Sequence, residues 1–351
     1  MNALTALSLF AAVATSASVD LRRRDTPLDV RLVQTGNSGV HASLTNTGSD
    51  DLKLFTAGTF LDENAVEKVQ VFSGDARLPF DGLRLIISHV GLSEDAFTVV
   101  KAGETVEADF DAAELHDLSE GGIFNILTSG AFSSAELNST EITGTVPFKS
   151  NTVVSEEVDG SKALAIHRTF QAKAKRTIVQ DDCVGSQRQA TIDGINSCAA
   201  LASAARVAAR NDSARLQEYF KSSSDSVAST VEGVFALIEE ECGSTTSGKS
   251  RYHCTDVYGA CSGGVIAYTL PSQSYMVNCP TYFGMLAQNP RCHGQDQGST
   301  ILHETTHLRH ILGTSDYGGY GYSFVQQLSS EQNLNHADTY TLFAQSVSMG
   351  C

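Results

Sequence analysis

The spacing of hydrophobic and polar positions changes about halfway along the chain. From about residue 19 to residue 150, short apolar runs are separated by clusters of Gly, Asn, Asp and Ser, which is typical of strands joined by turns. We predict strands over residues 28–33, 40–44, 52–55, 69–72, 83–87 and 142–148. Their spacing predicts a small antiparallel β-sandwich.

The second half has mainly helical periodicity. Apolar residues recur near helical spacing over residues 184–211 and 214–241, and further helices are predicted over 298–311 and about 330–349. Short Tyr- and Gly-rich runs predict three strands, over 252–258, 265–270 and 275–278. The chain is therefore predicted to be of the α+β class, with a β-rich first half and a mainly helical second half that contains a small β-sheet.

The charge balance excludes two classes of partner. The chain has 24 Lys and Arg against 40 Asp and Glu, which gives a formal net charge of −16. An acidic protein repels phosphate backbones and anionic lipid surfaces, so we expect neither nucleic-acid nor membrane binding. No run downstream of the N-terminus approaches the 18 or so uninterrupted apolar residues that a membrane span needs.

Cysteine positions and the N-terminus indicate an oxidising compartment. All eight cysteines follow residue 182, and their wide spacing lacks the paired C-x-x-C pattern of structural zinc sites. An even number of widely spaced cysteines is typical of disulfides in secreted proteins. Residues 3–14 are an apolar run followed by small residues, which predicts a signal peptide over residues 1–18. We therefore expect a secreted, extracellular protein.

A dibasic pair, Lys175-Arg176, lies between the cysteine-free and cysteine-rich halves. Secretory-pathway proteases cut after such pairs, and here the pair coincides with the change in composition. We predict cleavage after Arg176. The expected domains are then a signal peptide over 1–18, a β-rich propeptide over 19–176 and a mature domain over 177–351.

The strongest chemical signal is the run His303-Glu304-Thr305-Thr306-His307. On a helix, His303 and His307 project from one face one turn apart, close enough to bind one metal ion. Glu304 then lies beside the open position of the metal, where it can move a proton to and from water. This is the H-E-x-x-H arrangement of zinc peptidases.

The third metal ligand decides the class of peptidase. A metzincin needs Gly at position 310 and His at position 313, whereas this chain has His310 and Gly313. Glu331 is the one downstream candidate for a glutamate ligand of the kind that a later helix supplies. Asp316 is the better candidate, because the Gly-rich turn that begins at Gly313 can fold its carboxylate back towards the histidines.

These residues resemble a known family. The H-E-x-x-H run followed by Gly313-Thr314-Ser315-Asp316 is similar to the deuterolysins, the aspzincin family of fungal secreted zinc metalloendopeptidases. The resemblance extends over nearly the whole precursor. It implies a mainly helical, zincin-like catalytic domain preceded by a β-rich propeptide. It also implies one Zn²⁺ per catalytic domain, bound by His303, His307 and Asp316, with Glu304 as the catalytic base.

The family also uses a tyrosine to assist the substrate carbonyl. Its usual G-T-x-D-x-x-Y-G motif is one residue longer here, so Tyr320 is the match by motif, with Tyr317 and Tyr322 nearby and Tyr282 ranked second. For Asp338 two interpretations stay open: an acceptor for the N–H of a liganding histidine, or a carboxylate on a helix surface. We expect the remaining histidines of the mature domain, at positions 253, 293, 310 and 336, to bind no metal.

The resemblance implies the disulfide pairing as well. It gives Cys183–Cys254, Cys261–Cys279 and Cys292–Cys351, which leaves Cys198 to pair with Cys242. Counting alone cannot assign these pairs, since eight cysteines allow about 105 pairings.

The resulting hypothesis is a monomeric secreted zinc endopeptidase made as a zymogen. Residues 177–351 carry nine basic and 16 acidic side chains, a net charge of −7, so basic polypeptides such as histones and protamines are the expected substrates. Its own propeptide is the other expected partner, either as a folding aid and inhibitor or as a lasting binding module. The alternative is a non-catalytic, secreted, disulfide-rich binding protein stabilised by a metal.

Overall fold

The computed structural model describes residues 26–88, 90–174, 182–245 and 248–351. The predicted signal peptide and the Lys175-Arg176 junction lie outside these residues. We refer to residues 26–174 as the N-terminal region and to residues 182–351 as the C-terminal region. In agreement with the sequence pattern, the chain is α+β, and most of its strands precede most of its helices.

The N-terminal region consists mainly of short strands. They are β1 Leu28–Thr35, β2 Gly39–Asn46, β3 Leu52–Phe55, β4 Gln70–Ser73, β5 Ala76–Arg77, β6 Arg84–Ile87, β7 Phe97–Val100, β8 Thr105–Asp111, β9 Asn125–Leu127, β10 Ser129–Ala135, β11 Ile142–Lys149 and β12 Val153–Val154. The helices here are α1 Ala112–Leu115 and α2 Gly160–Ala174, and the sequence pattern predicts neither of them.

The C-terminal region contains most of the helices and three strands. They are α3 Gly185–Asn211, α4 Ser213–Phe220, α5 Asp225–Cys242, β13 Arg251–His253, β14 Val265–Leu270, β15 Tyr275–Asn278, α6 Pro280–Phe283, α7 Gln297–His307, α8 Tyr322–Val325, α9 Ser330–Leu334 and α10 Ala337–Met349. Among the residues that the structure describes, no helix is both long and apolar enough to cross a bilayer.

Three predicted helices are shorter or broken. The helix predicted over 214–241 is interrupted because Lys221 is left-handed (φ 57°) and Ser224 caps a new helix through the Val227 amide. The last helix is split at residues 335–336, whose backbone pairs with the segment that carries Asp316. The helix that bears the histidines ends at His307, because Leu308 is extended.

The strands form four sheets, and one of them joins the two regions. Three antiparallel sheets lie within the N-terminal region, in the orders β1-β2-β8, β11-β10-β3-β7 and β12-β9-β4-β5. The fourth has the order β13-β15-β14-β6, so β6 of the N-terminal region pairs antiparallel with β14 of the C-terminal region. The prediction that residues 83–87 belong with the other N-terminal strands is therefore wrong.

Three large apolar clusters and one small one form the core of the described residues, and the three large ones make up most of it. One lies within the N-terminal region and one is built mainly from the helices of the C-terminal region. The third is shared: Leu85, Ile87 and Phe170 pack in it with Val265 and Tyr268. The regions are also linked by an ion pair between Arg309 and Asp81, which lies beside His167. The sheet, this cluster and the ion pair hold the N-terminal region against α7.

Candidate metal centre

Helix α7 is buried along its whole length, and a capping box fixes the residue at which it begins. Asp296 accepts a hydrogen bond from the Ser299 amide (2.8 Å), and the Ser299 hydroxyl accepts one from the Asp296 amide (3.0 Å), which forms a capping box. All eleven residues of the helix are buried. His303 and His307 therefore face one another one turn apart, with ring centroids 4.9 Å apart, inside the protein and not on its surface.

The chain after α7 turns back towards the histidines. Gly313 adopts φ +72°, a conformation that favours glycine, and its amide and that of Thr314 both donate to the Thr306 carbonyl (3.1 and 3.2 Å). The buried His336 side chain then donates through Nε2 to the carbonyls of Asp316 and Gly319 (3.1 and 3.2 Å). These contacts fix the backbone of Asp316 with its carboxylate between the two imidazoles.

His303, His307 and Asp316 form the one group of three or more potential metal-ligating side chains within the described part of the chain. Their ligand atoms all lie within 4.8 Å of one another. His303 Nε2 is 3.3 Å from Asp316 Oδ1, and His307 Nε2 is 3.5 Å from Asp316 Oδ2. Both Nε2 atoms and Oδ1 are buried without a hydrogen-bond partner. Buried polar atoms are seldom left in this way, so the donor set fits a Zn²⁺ ion.

Hydrogen bonds at Nδ1 of each imidazole determine which ring nitrogen faces the metal-ligating group. His303 Nδ1 donates to Asp338 Oδ1 (2.9 Å), and His307 Nδ1 donates to the Thr314 carbonyl (3.0 Å). Each ring therefore uses Nδ1 as the donor to its partner, which leaves Nε2 as the nitrogen that faces the cluster. Asp338 is 2% exposed and also accepts the Gly321 amide (2.6 Å), so it is not a helix-surface carboxylate.

The electrostatics of the cluster favour binding of a cation. Burial opposes protonation of His303, but Asp316 and Asp338 outweigh it and raise its pKa to about 10. Burial lowers the pKa of His307 to about 3. Burial acts to raise the pKa of Asp316, but the neighbouring His307 and His303 outweigh it and lower that pKa. A metal ion bound by these atoms would displace the second proton of His303, the one on Nε2, so metal binding is coupled to proton release.

Glu304 lies next to the cluster with one oxygen free. Its Oε2 accepts a hydrogen bond from Thr269 Oγ1 on β14 (2.6 Å), and its buried Oε1 has no partner. Burial raises the pKa of Glu304 to about 8. A carboxyl with a pKa near neutrality can both accept and return a proton. Thr269, which holds the carboxylate, was not predicted from the sequence.

Of the candidate tyrosines, Tyr320 lies at the cluster. Its ring stacks against His303 with centroids 6.4 Å apart, and its hydroxyl donates to the Leu85 carbonyl (2.9 Å). Burial raises the pKa of Tyr320 well above its ordinary value, so the hydroxyl remains a donor. The hydroxyls of the other three are directed elsewhere: Tyr317 to Asn335, Tyr322 to Glu218 and Tyr282 to the Ala190 carbonyl. The second-ranked Tyr282 is thus directed at α3.

The remaining candidates lie away from the cluster. Glu331, the alternative third ligand, is exposed on α9. His310 pairs with Glu241 (3.0 Å), and His293 contacts the Tyr219 hydroxyl. None of the four histidines expected to be non-ligands belongs to the metal-ligating group found among the described residues.

Four disulfides hold the C-terminal region together. They join Cys183 to Cys254, Cys198 to Cys242, Cys261 to Cys279 and Cys292 to Cys351, the same pairs that the resemblance implies. Cys292–Cys351 ties the segment before α7 to the end of the chain, just after α10, the helix that carries Asp338. The bridges thus connect the elements around the cluster.

Known proteins are similar to this sequence over nearly its full length. A profile of the Deuterolysin metalloprotease (M35) family matches residues 2–351. The chain is 59% identical over 348 residues to a "Neutral protease 2 homolog" of Colletotrichum graminicola, with 98% of each chain covered. It is 54% identical over 351 residues to one of Phaeosphaeria nodorum, with 99% of each covered.

Among solved structures, a zinc peptidase from Grifola frondosa aligns with a TM-score of 0.41 and 19% identity, covering 47% of this chain and 97% of that one. The family match and the relatives define a metalloprotease. The chain belongs to the deuterolysin metalloprotease family and is a zinc metalloendopeptidase. This family membership does not favour the alternative of a non-catalytic binding protein.

Proposed function

We propose that this protein is a secreted zinc endopeptidase made as a zymogen, with residues 1–18 as signal peptide, 19–176 as propeptide and 177–351 as the mature, monomeric enzyme. His303, His307 and Asp316 would hold one zinc ion. The observation that carries the proposal is the convergence of three buried, unpartnered ligand atoms beside the free oxygen of Glu304. Lys175-Arg176 is the proposed processing site.

Each side chain has a distinct role in peptide hydrolysis. Zinc bound at the three ligands would supply Lewis acidity, which polarises the scissile carbonyl and makes water easier to deprotonate. Glu304 takes a proton from the attacking water and passes it to the leaving nitrogen, and its Oε1 is free to do so. Tyr320 donates its hydroxyl hydrogen to the carbonyl oxygen as negative charge develops there. Thr269 orients Glu304, and Asp338 orients His303.

We further propose a preference for basic polypeptides such as histones and protamines. The support is charge: residues 177–351 carry a net charge of −7, which attracts positively charged chains at low salt. The preference should weaken as salt is added, since screening shortens the reach of these charges to about 10 Å at 0.1 M.

The test compares Glu304→Gln with Glu331→Gln after cleavage of the chain at the junction. We expect Glu304→Gln to keep its zinc and to digest a histone at least about 10²-fold more slowly, because the base is lost. Glu331→Gln, on the exposed face of α9, should behave like the wild type. A chelator should stop the wild type. Undiminished activity in Glu304→Gln would exclude it as the base, and equal digestion of an acidic protein would exclude the basic preference.

A further inference from the structure

Strand β6 completes the sheet beside the candidate metal centre. It lies antiparallel to β14, with Arg84 opposite Thr269, Leu85 opposite Tyr268 and Ile86 opposite Ala267. Thr269 is the residue whose hydroxyl holds Glu304, so this pairing brings β6 to the catalytic side chains. Without β6, the described part of β14 would present an edge to which an extended peptide can add as a strand.

The peptide bond between Leu85 and Ile86 lies between two of the proposed catalytic groups, Tyr320 and Glu304. Its carbonyl oxygen accepts the Tyr320 hydroxyl at 2.9 Å. On its other side, the Ile86 amide faces the Glu304 carboxylate. Tyr320 is the group proposed to bind a scissile carbonyl, and Glu304 is the group proposed to protonate a leaving nitrogen. The bond thus has the direction of a substrate bond and not the reverse.

Side chains of β6 divide between the two apolar clusters at this edge. Ile86 is 2% exposed and is the one described residue from before residue 182 in the cluster of the C-terminal helices, which also contains Ala267 and Leu302. Leu85 and Ile87 pack instead in the shared cluster. Ile86 is therefore inserted into the C-terminal region and contributes nothing to the N-terminal region's own core.

Backbone and charge contacts hold both ends of the strand. After Ile86, the Gln295 side chain donates to the Ile87 carbonyl (2.7 Å), and the Ser88 amide donates to the Gly264 carbonyl (2.8 Å). Before it, Arg84 pairs with Glu67 of the N-terminal region (2.6 Å). The strand is fixed in register on both sides of the Leu85–Ile86 bond.

We infer that residues 84–87 occupy the substrate groove as a built-in substrate mimic, with Leu85–Ile86 in the position of the scissile bond. The inference rests on the proposed function and names the segment through which the propeptide would inhibit.

The test uses the full chain kept in one piece by Lys175→Gln and Arg176→Gln. In this background Ile86→Asp should release β6 and raise cleavage of an external peptide by at least about tenfold, because a buried isoleucine is replaced by a charge. Val33→Asp, at a position 57% exposed on β1, is the matched control and should leave the activity low. A gain of activity cannot arise from simple misfolding. Ile86→Ala should give a smaller gain in the same direction.

Hydrogen exchange supplies a readout that does not depend on activity. In the parent chain the amides of residues 85–87 should be protected, and in Ile86→Asp they should exchange at least about tenfold faster. The amides of β1 and β2 should stay protected, which shows that the N-terminal region is still folded. If Ile86→Asp exposes β6 to exchange without any gain of activity, while the chain cleaved at the junction is active, the inhibitory role is wrong and the proposed function stands.

Two synthetic peptides test the position assigned to the Leu85–Ile86 bond. The sequence of residues 82–88, Gly-Leu-Arg-Leu-Ile-Ile-Ser, should be cut by the processed enzyme between its second leucine and first isoleucine. The same peptide with aspartate in place of that isoleucine should not be cut there. Cleavage at a different bond of the first peptide would overturn the assigned position. If the processed enzyme cleaves no peptide or protein at all, the proposed function itself fails.

Discussion

The two regions of this molecule are stabilised in different ways. The C-terminal region has four disulfides and a helical core around the metal-ligating group, whereas the N-terminal region has no cysteine and depends on antiparallel strands around its own apolar cluster. Disulfides restrict the unfolding of the region that they link, whereas a region without them unfolds and is degraded more readily. This difference fits the proposed roles of a lasting enzyme and a temporary inhibitor.

The largest effect that tests this comparison is expected from a disulfide. Cys198 and Cys242 join α3 to α5 across 44 residues, and closing such a loop stabilises a fold by about 4 kcal/mol on the chain-entropy account. Cys198→Ala with Cys242→Ala should lower the free energy of unfolding of α3 and α5 by about that amount, measured from their slowest-exchanging amides. The amides of β1 and β2 should be unaffected. An equal loss in both regions would show that this disulfide does not stabilise the C-terminal region selectively.

The next effect concerns a buried charge in the N-terminal region. Burial acts to raise the pKa of Glu67, but Arg77 and Arg84 outweigh it and lower the value from 4.5 to about 2. Because the folded pKa is the lower one, the stabilisation is fully present above pH 4.5 and is lost as the pH falls towards 2. The shift corresponds to about 3 kcal/mol.

Glu67→Gln should therefore lower the stability of the N-terminal region at pH 7 by about 3 kcal/mol and flatten its acid dependence. The measurement is the denaturant midpoint of this region between pH 7 and pH 2. Glu107→Gln, at an exposed position on β8, is the control and should keep the wild-type profile. If the Glu67→Gln variant keeps the acid dependence of the wild type, the interactions of Glu67 with Arg77 and Arg84 are not the cause of the loss of stability in acid.

A smaller effect is expected at the metal centre. Asp338 accepts the Nδ1 hydrogen of His303 and so orients its ring. Asp338→Ala should weaken zinc binding about 10- to 100-fold, as is typical when such a partner is removed, and Asp338→Asn should weaken it less because its amide oxygen can still accept. Competition with a chromogenic chelator measures the affinity. Unchanged affinity in the alanine variant would make Asp338 structural only.

The sequence predicted the candidate site better than the fold around it. The spacing of His303, Glu304 and His307 is local, so one turn of helix brings them together in any fold. Asp316 could also be anticipated, because the glycine at position 313 permits the turn that returns it. Thr269 could not, since its role depends on β14 packing against α7, which no local pattern reports.

Fold predictions failed where tertiary contacts override local preference. Strand β10 is rich in Gly, Ala and Ser and has little strand propensity, yet it lies between two other strands. Gly130 is needed there because a Cβ would lie 2.6 Å from the Tyr317 carbonyl oxygen. Likewise, the short apolar run over residues 83–87 predicts a strand but not its partner, and that partner, β14, belongs to the other region.

In the proposed enzyme, His303, His307 and Asp316 bind zinc beside Glu304 while β6 covers them. The most direct measurement is a crystal structure of zinc-loaded, full-length Glu304→Gln, with anomalous data at the zinc edge. We predict one peak about 2.0–2.2 Å from both Nε2 atoms and an Asp316 carboxylate oxygen, with the Leu85 carbonyl still on Tyr320. A peak on a different set of ligands, such as one that includes Glu331, would contradict the account.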